Sequence, residues 1–144
     1  MDPLDLTKRP PRSPKEQLDG LAMLPRTIDK LRAKLPGGNI GAYKIQGMSS
    51  ALLDFLGVTE EDLQGAVARA KSDEDVVAWL RDRVNTGRYP EITKKLSERN
   101  IEHVQDRDDL ERRYPILKRR PDIYYLMDML EADDEELFGT SRSS

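Results

Sequence analysis

The chain has 144 residues and no cysteine, and 24 Lys/Arg against 27 Asp/Glu give a net charge of −3. That length suits one domain with a real core, the missing cysteine excludes disulfides, thiolate nucleophiles and cysteine-based metal sites, and the slight negative charge gives no global pull towards nucleic acid. No apolar run approaches the roughly 20 residues needed to span a bilayer, and the first residues lack the basic and apolar regions of a signal peptide, so a cytoplasmic protein with no membrane role is expected.

In chain order, the first patterned stretch holds Arg9-Pro10-Pro11-Arg12-Ser13-Pro14. Proline fixes φ and pushes the preceding residue towards extended backbone, so residues 1–14 are expected as a stiff, proline-rich arm. Ser13 is placed to cap a short helix with Pro14 first and Glu16 third. Leu21, Leu24, Ile28, Leu31 and Leu35 then repeat at helical spacing. The pattern predicts a helix starting near residues 19–21, tolerating Pro25 in its first turn and stopping at Leu35-Pro36-Gly37-Gly38. Arg26, Asp29, Lys30 and Ala33 lie opposite the apolar stripe. Two readings stay open for that face. It is solvated, with Arg26 pairing Asp29 at i,i+3; or the arm crosses it with Lys8 and Arg12, gathering cations beside Asp5 and Asp29 into an ion-pair lattice or an anion pocket.

Asp5-Leu6-Thr7-Lys8, Pro11-Arg12-Ser13-Pro14 and Leu24-Pro25-Arg26 with Asp29-Lys30 and Arg32-Ala33 together resemble a family of small bacterial proteins known only as a domain of unknown function. The resemblance is specific over residues 5–35, looser through Tyr43 and residues 52–57, and weak beyond about residue 88. It implies a discrete domain and carries no activity. Arg12, Arg26, Asp29, Lys30 and Arg32 are the positions that match its pattern.

Beyond the first helix, residues 37–41 hold three glycines without a nucleotide-binding spacing, and read as a connector. Ser49 or Ser50 is expected to cap a deeply buried helix that closes at Gly57. Thr59-Glu60-Glu61-Asp62 and Ser72-Asp73-Glu74-Asp75 open two more helices, with acid in the first turn favoured by the macrodipole. Trp79 sits at the margin of the second as a core lid. None of the acidic clusters has the spacing of a calcium loop, and no metal site is expected. Pro90 opens a helix to about residue 100, His103 lies at its end with no nucleophile pattern nearby, and residues 106–114 form the next. Pro121-Asp122 is expected to begin a final helix over residues 122–131, apolar nearly all round. Such a helix is either the centre of a monomer or half of a two-fold dimer interface with Tyr124, Tyr125 and Met129 near the contact. The dimer is the expectation. Residues 133–136 and 139–144 are expected to fray.

The fold class expected is therefore all-α: an irregular bundle of six to eight short helices over residues 1–138, with the proline-rich arm at its start. The function expected is a non-enzymatic binding or protein-interaction module, with no cofactor and no nucleic-acid partner. The alternative is an enzyme or sensor binding a small phosphate or carboxylate through Arg12, Arg26, Asp29, Lys30 and Arg32.

Overall fold

The structure is a computed structural model, described here over residues 1–139. It is mainly helical. Among the described residues there are eight α-helices, two short 3₁₀ turns and one two-stranded sheet. No helix of the described residues is long and apolar enough to cross a membrane.

Helix α1 (Leu24–Ala33) is the element around which the rest packs. Leu24, Ile28 and Leu31 are fully buried on the side that meets α2 (Met48–Leu56) and α3 (Glu60–Arg69). The helix begins later than the apolar spacing predicted. Residues 17–22 instead form a hairpin, β1 (Gln17–Leu18) against β2 (Leu21–Ala22), turning at Asp19 (φ 53°) and Gly20 (φ 83°). Asp-Gly favours this turn because both central residues need positive φ, and here that local preference overrides the helical stripe. Thr93 on α5 (Tyr89–Glu98) fastens the hairpin, donating to Gly20 O at 2.6 Å and accepting from Ala22 N at 3.1 Å. Ser13 caps no helix: its hydroxyl accepts from Lys15 N and the chain makes a single turn before β1.

Helix α2 starts after Gly47, not on a serine cap, so Ser49 falls inside the helix and is fully buried. It closes at Gly57 with φ 70°, where the left-handed conformation lets the next two N–H groups reach carbonyls of the last turn. Thr59 caps α3 and Asp106 caps α6 (Arg107–Arg113), each accepting from the N–H three residues on. Ser72 precedes α4 (Asp73–Arg81) without a side-chain bond, the neighbouring role being taken by Asp75, which accepts from Lys71 N. Helix α7 (Ile116–Arg119) is a single turn.

The last helix departs most from expectation. It runs Leu126–Phe138 as α8, not over residues 122–131. The backbone before it is committed elsewhere: Ile101 N donates to Tyr124 O at 2.9 Å and Leu126 N to Arg99 O at 3.0 Å, an antiparallel bridge between Asn100 and Tyr125 that holds Tyr125 extended. Tyr124 and Tyr125 therefore precede the helix and lie half-exposed, while Met129 is buried in the protomer's own core. Residues 133–136 are helical and do not fray, because Asp134 turns inward and is fully buried. The expectation for residues 140–144 lies outside the described residues. Leu4 and Leu6, with Ala33 and Tyr43, make a second small cluster beside the main core.

Candidate functional site

The face of α1 opposite its apolar stripe is not solvated. Arg26, Asp29, Lys30 and Ala33 are all buried, covered by the N-terminal segment, by residues 42–46 and by α8. Burying three charges on one helix face is costly unless each finds a partner. The partners divide the five sequence-selected residues into two groups.

Arg12 and Asp29 form the first group. Arg12 Nε and Nη2 reach the Asp29 carboxylate at 3.0–3.2 Å, and the Arg12 backbone N–H donates to the same group at 2.8 Å. The outer edge of the guanidinium binds Asp73 at the start of α4, at 2.7 and 3.2 Å. Burial opposes the charge on Arg12, but the bonds to Asp73 and Asp29 outweigh it and hold the guanidinium firmly protonated. Arg32 lies at the edge, donating to Asp2 O at 2.8 Å and standing 4.0 Å from Asp29. Asp29 pairs with Arg12, not with Arg26 one turn away.

Arg26 belongs to a second group that the sequence did not assemble. Its guanidinium binds Asp134 of α8 at 2.7 and 3.3 Å with both side chains at 1% exposure or less. It also lies 5.5 Å from the centre of the Tyr43 ring, whose hydroxyl donates to Asp134 at 2.6 Å. Burial, then the Asp134 bond, push the Tyr43 phenol up, so it stays protonated. Asp134 follows Met127 and Leu130 at i+7 and i+4, an acid on an apolar stripe; that was the available signal, masked by the acidic neighbours on either side.

Lys30 is the exception. The residue is 5% exposed, yet its amine donates only to neutral oxygens, Lys44 O at 3.0 Å and Ser49 Oγ at 3.3 Å. Desolvation, reinforced by Arg26 and partly offset by Asp134, pulls the amine down to about 7. Lys30 lies at the floor of a cleft of about 400 Å³ between residues 42–46 and the ends of α6 and α8, and also lines a neighbouring cavity of about 220 Å³ that reaches Met129. Arg112, Arg113, Tyr114, Lys44 and Asp133 share the cleft wall. Burial, then the neighbouring carboxylates Asp134 and Glu136, push Asp133 up to about 6. Burial also raises the Tyr114 phenol. Arg112 and Arg113 are tethered from below by Asp109, and Glu136 is paired with Arg119.

With that geometry established, residues 8–136 match the family described as a domain of unknown function, DUF5069. The chain belongs to that family. The match to DUF5069 continues well past residue 88, where the sequence resemblance weakens, and takes in α6, most of α8 and the cleft lining apart from Leu137. Comparison with curated proteins finds no match.

Of the remaining sequence-selected residues, Tyr124 and Tyr125 stack edge to face at 5.1 Å on the surface, with the Tyr124 hydroxyl donating to Glu102 at 2.9 Å. Met129 points into the core and takes no part in that patch. Among the described residues no group of three or more His, Asp or Glu is arranged to hold a metal ion.

Proposed function

We propose that this DUF5069 member is a cytoplasmic small-molecule-binding domain, residues 1–138 folding as one unit, that takes an anionic ligand, a carboxylate or phosphate, in the cleft above Lys30. The observation that carries this reading is the state of Lys30: a buried amine that hydrogen-bonds no carboxylate among the described residues, its nearest favourable charge being Asp134, already bound by Arg26 and Tyr43, and that opens on a cleft rather than into packed core. A structural lysine is normally paired or left exposed. An incoming anion supplies the missing counter-charge. Cations outnumber acids in the cleft, where Lys30, Lys44, Arg112 and Arg113 face Asp133 and Glu136, and burial favours the neutral form of Asp133. Arginine forks at the rim suit carboxylate and phosphate oxygens.

The ligand site so placed keeps Arg26 and Lys30 from the sequence reading and assigns Arg12, Asp29 and Arg32 to holding the N-terminal segment on α1. Arg12 has both edges of its guanidinium occupied by aspartates, which leaves it little capacity for a ligand. Calorimetric titration with phosphate and with glycolate tests the proposal: saturable binding that is lost in Arg113→Ala and in Lys30→Met supports it. Unchanged binding in both variants, or none to any small anion, contradicts it.

A second reading rests on a different observation. Tyr124 and Tyr125 are 38% and 45% exposed and adjacent, an aromatic patch of the kind enriched at interfaces. A homodimer through these two residues, without Met129, is the corresponding proposal.

A further inference from the structure

The hydrogen bonds around Lys30 define more than a cation site. Thr27 Oγ1 stands 2.7 Å from Met23 O and 3.1 Å from Ser49 Oγ. A hydroxyl has one hydrogen. With that hydrogen on the Met23 carbonyl, the Ser49 hydroxyl donates to Thr27 and its oxygen is left to accept from Lys30. Lys44 O is a second acceptor. The amine is thus offered two acceptors, matching the two hydrogens of a neutral –NH₂ and leaving its lone pair uncommitted beside the two cavities it lines. An ammonium has three hydrogens and finds no third acceptor among the described residues.

We infer that Lys30 is a nucleophilic amine that condenses with the carbonyl of an anionic aldehyde or 2-oxo acid bound in the cleft, forming an imine. This rests on the anion-binding reading above, because the ligand's carboxylate or phosphate is what the rim cations hold while its carbonyl reaches the floor. The chemistry balances without an oxidant or reductant. The Nζ lone pair forms a bond to the carbonyl carbon, the carbonyl oxygen takes a proton, and the nitrogen gives one up, yielding a carbinolamine. A second proton on that oxygen lets it leave as water while the nitrogen lone pair completes the C=N bond and the remaining N–H proton departs. Two groups on the cleft wall are suited to deliver protons: the Tyr114 phenol, which burial keeps protonated, and Asp133, which exchanges a proton close to neutral pH. A lysine activated by a desolvated site beside another cation is a known solution to the same chemical need, and Arg26 is that second cation here.

The neutral fraction sets the size of the effect. At pH 7 about one amine in 2,500 is neutral on a surface lysine of ordinary pKa, against roughly half of the molecules at Lys30, whose amine lies near 7. The folded protein is incubated at pH 7 with glyoxylate and cyanoborohydride, which reduces an imine to a stable secondary amine, and labelled lysines are located by peptide mass spectrometry. Binding of glycolate, which has the same carboxylate but no carbonyl, is measured in parallel. Labelling of Lys30 at least tenfold faster than Lys71, Lys94 or Lys118 is expected from its neutral fraction, with protection by excess glycolate and loss of that label in a folded Lys30→Met protein. Binding of glycolate with labelling only of the surface lysines overturns the imine and leaves the anion site standing. No binding of glycolate and no preference for Lys30 overturns both.

Discussion

Replacing Lys30 with methionine isolates the least ordinary group in the interior. Folding lowers this amine from 10.5 to about 7, and each tenfold change in proton affinity is worth about 1.4 kcal/mol. Below pH 7 both folded and unfolded chains carry the proton, and the folded state bears the whole cost of burying it, about 5 kcal/mol. Between pH 7 and 10.5 the unfolded chain holds a proton that the folded chain has released, so this group's contribution to stability rises with pH and the cost disappears above 10.5. Methionine fills much the same space without an amine. It leaves Lys44 O and Ser49 Oγ without this donor, a loss of about 1–3 kcal/mol that does not depend on pH. The variant is therefore expected to be more stable than the parent by about 2–4 kcal/mol at pH 6, and less stable by about 1–3 kcal/mol near pH 10.5. Urea unfolding followed by helical circular dichroism from pH 6 to 10.5 reads the difference directly. A gap between the two proteins that stays constant across that range would refute a depressed Lys30.

Three further outcomes follow from the same contacts. Asp134→Leu and Arg26→Met alone each strand a buried charge and should cost about 3–5 kcal/mol, whereas the double variant recovers most of the loss; equal and additive losses in denaturant unfolding would argue against a mutually dependent pair. Arg12→Ala removes the clamp on Asp29 and Asp73 and should cost about 2–3 kcal/mol, with Asp73→Ala costing less because Asp29 keeps its partner; a larger effect at Asp73 contradicts that order. Tyr125→Glu should turn a dimer into a monomer in sedimentation at micromolar concentration without lowering the melting temperature, and a single 16.5 kDa species for the parent chain removes the dimer.

How far the sequence was legible depends on whether local or long-range partners set the structure. Helix starts governed by one residue, such as Thr59 and Asp106, and the stop at Gly57 were readable because cap and capped N–H, or glycine and its positive φ, lie within four residues. The β-hairpin at Asp19-Gly20 was also locally encoded, but its turn signal competed with the leucine stripe that runs through it. Arg12 lying across α1 beside Asp29 was one of the two readings the sequence left open, offered because the prolines around it limit where the segment can go. The second half of the site was not legible for a different reason. Arg26 meets Asp134 over 108 residues, and an acid within the run 133–136 looks like solvated surface until its i+7 and i+4 relation to Met127 and Leu130 is weighed against its charge. Lys30 was singled out on its helix face, but its burial and the cleft around it were not legible, because a buried amine is defined by what surrounds it: a carbonyl at Lys44, a serine inside a helix expected to be capped by it, and the aromatic and acidic wall from α6 and α8.

The most direct test of the account is the titration of Lys30 itself, followed through the ¹³Cε resonance of a lysine-labelled sample assigned with Lys30→Met, in the free protein and again with glycolate or phosphate. The free protein should show one lysine titrating near 7, and the anion should move that midpoint upward, because a bound negative charge favours the ammonium form. A Lys30 that titrates with the surface lysines near 10.4, unmoved by either anion, would contradict both the neutral amine and the cleft built over it.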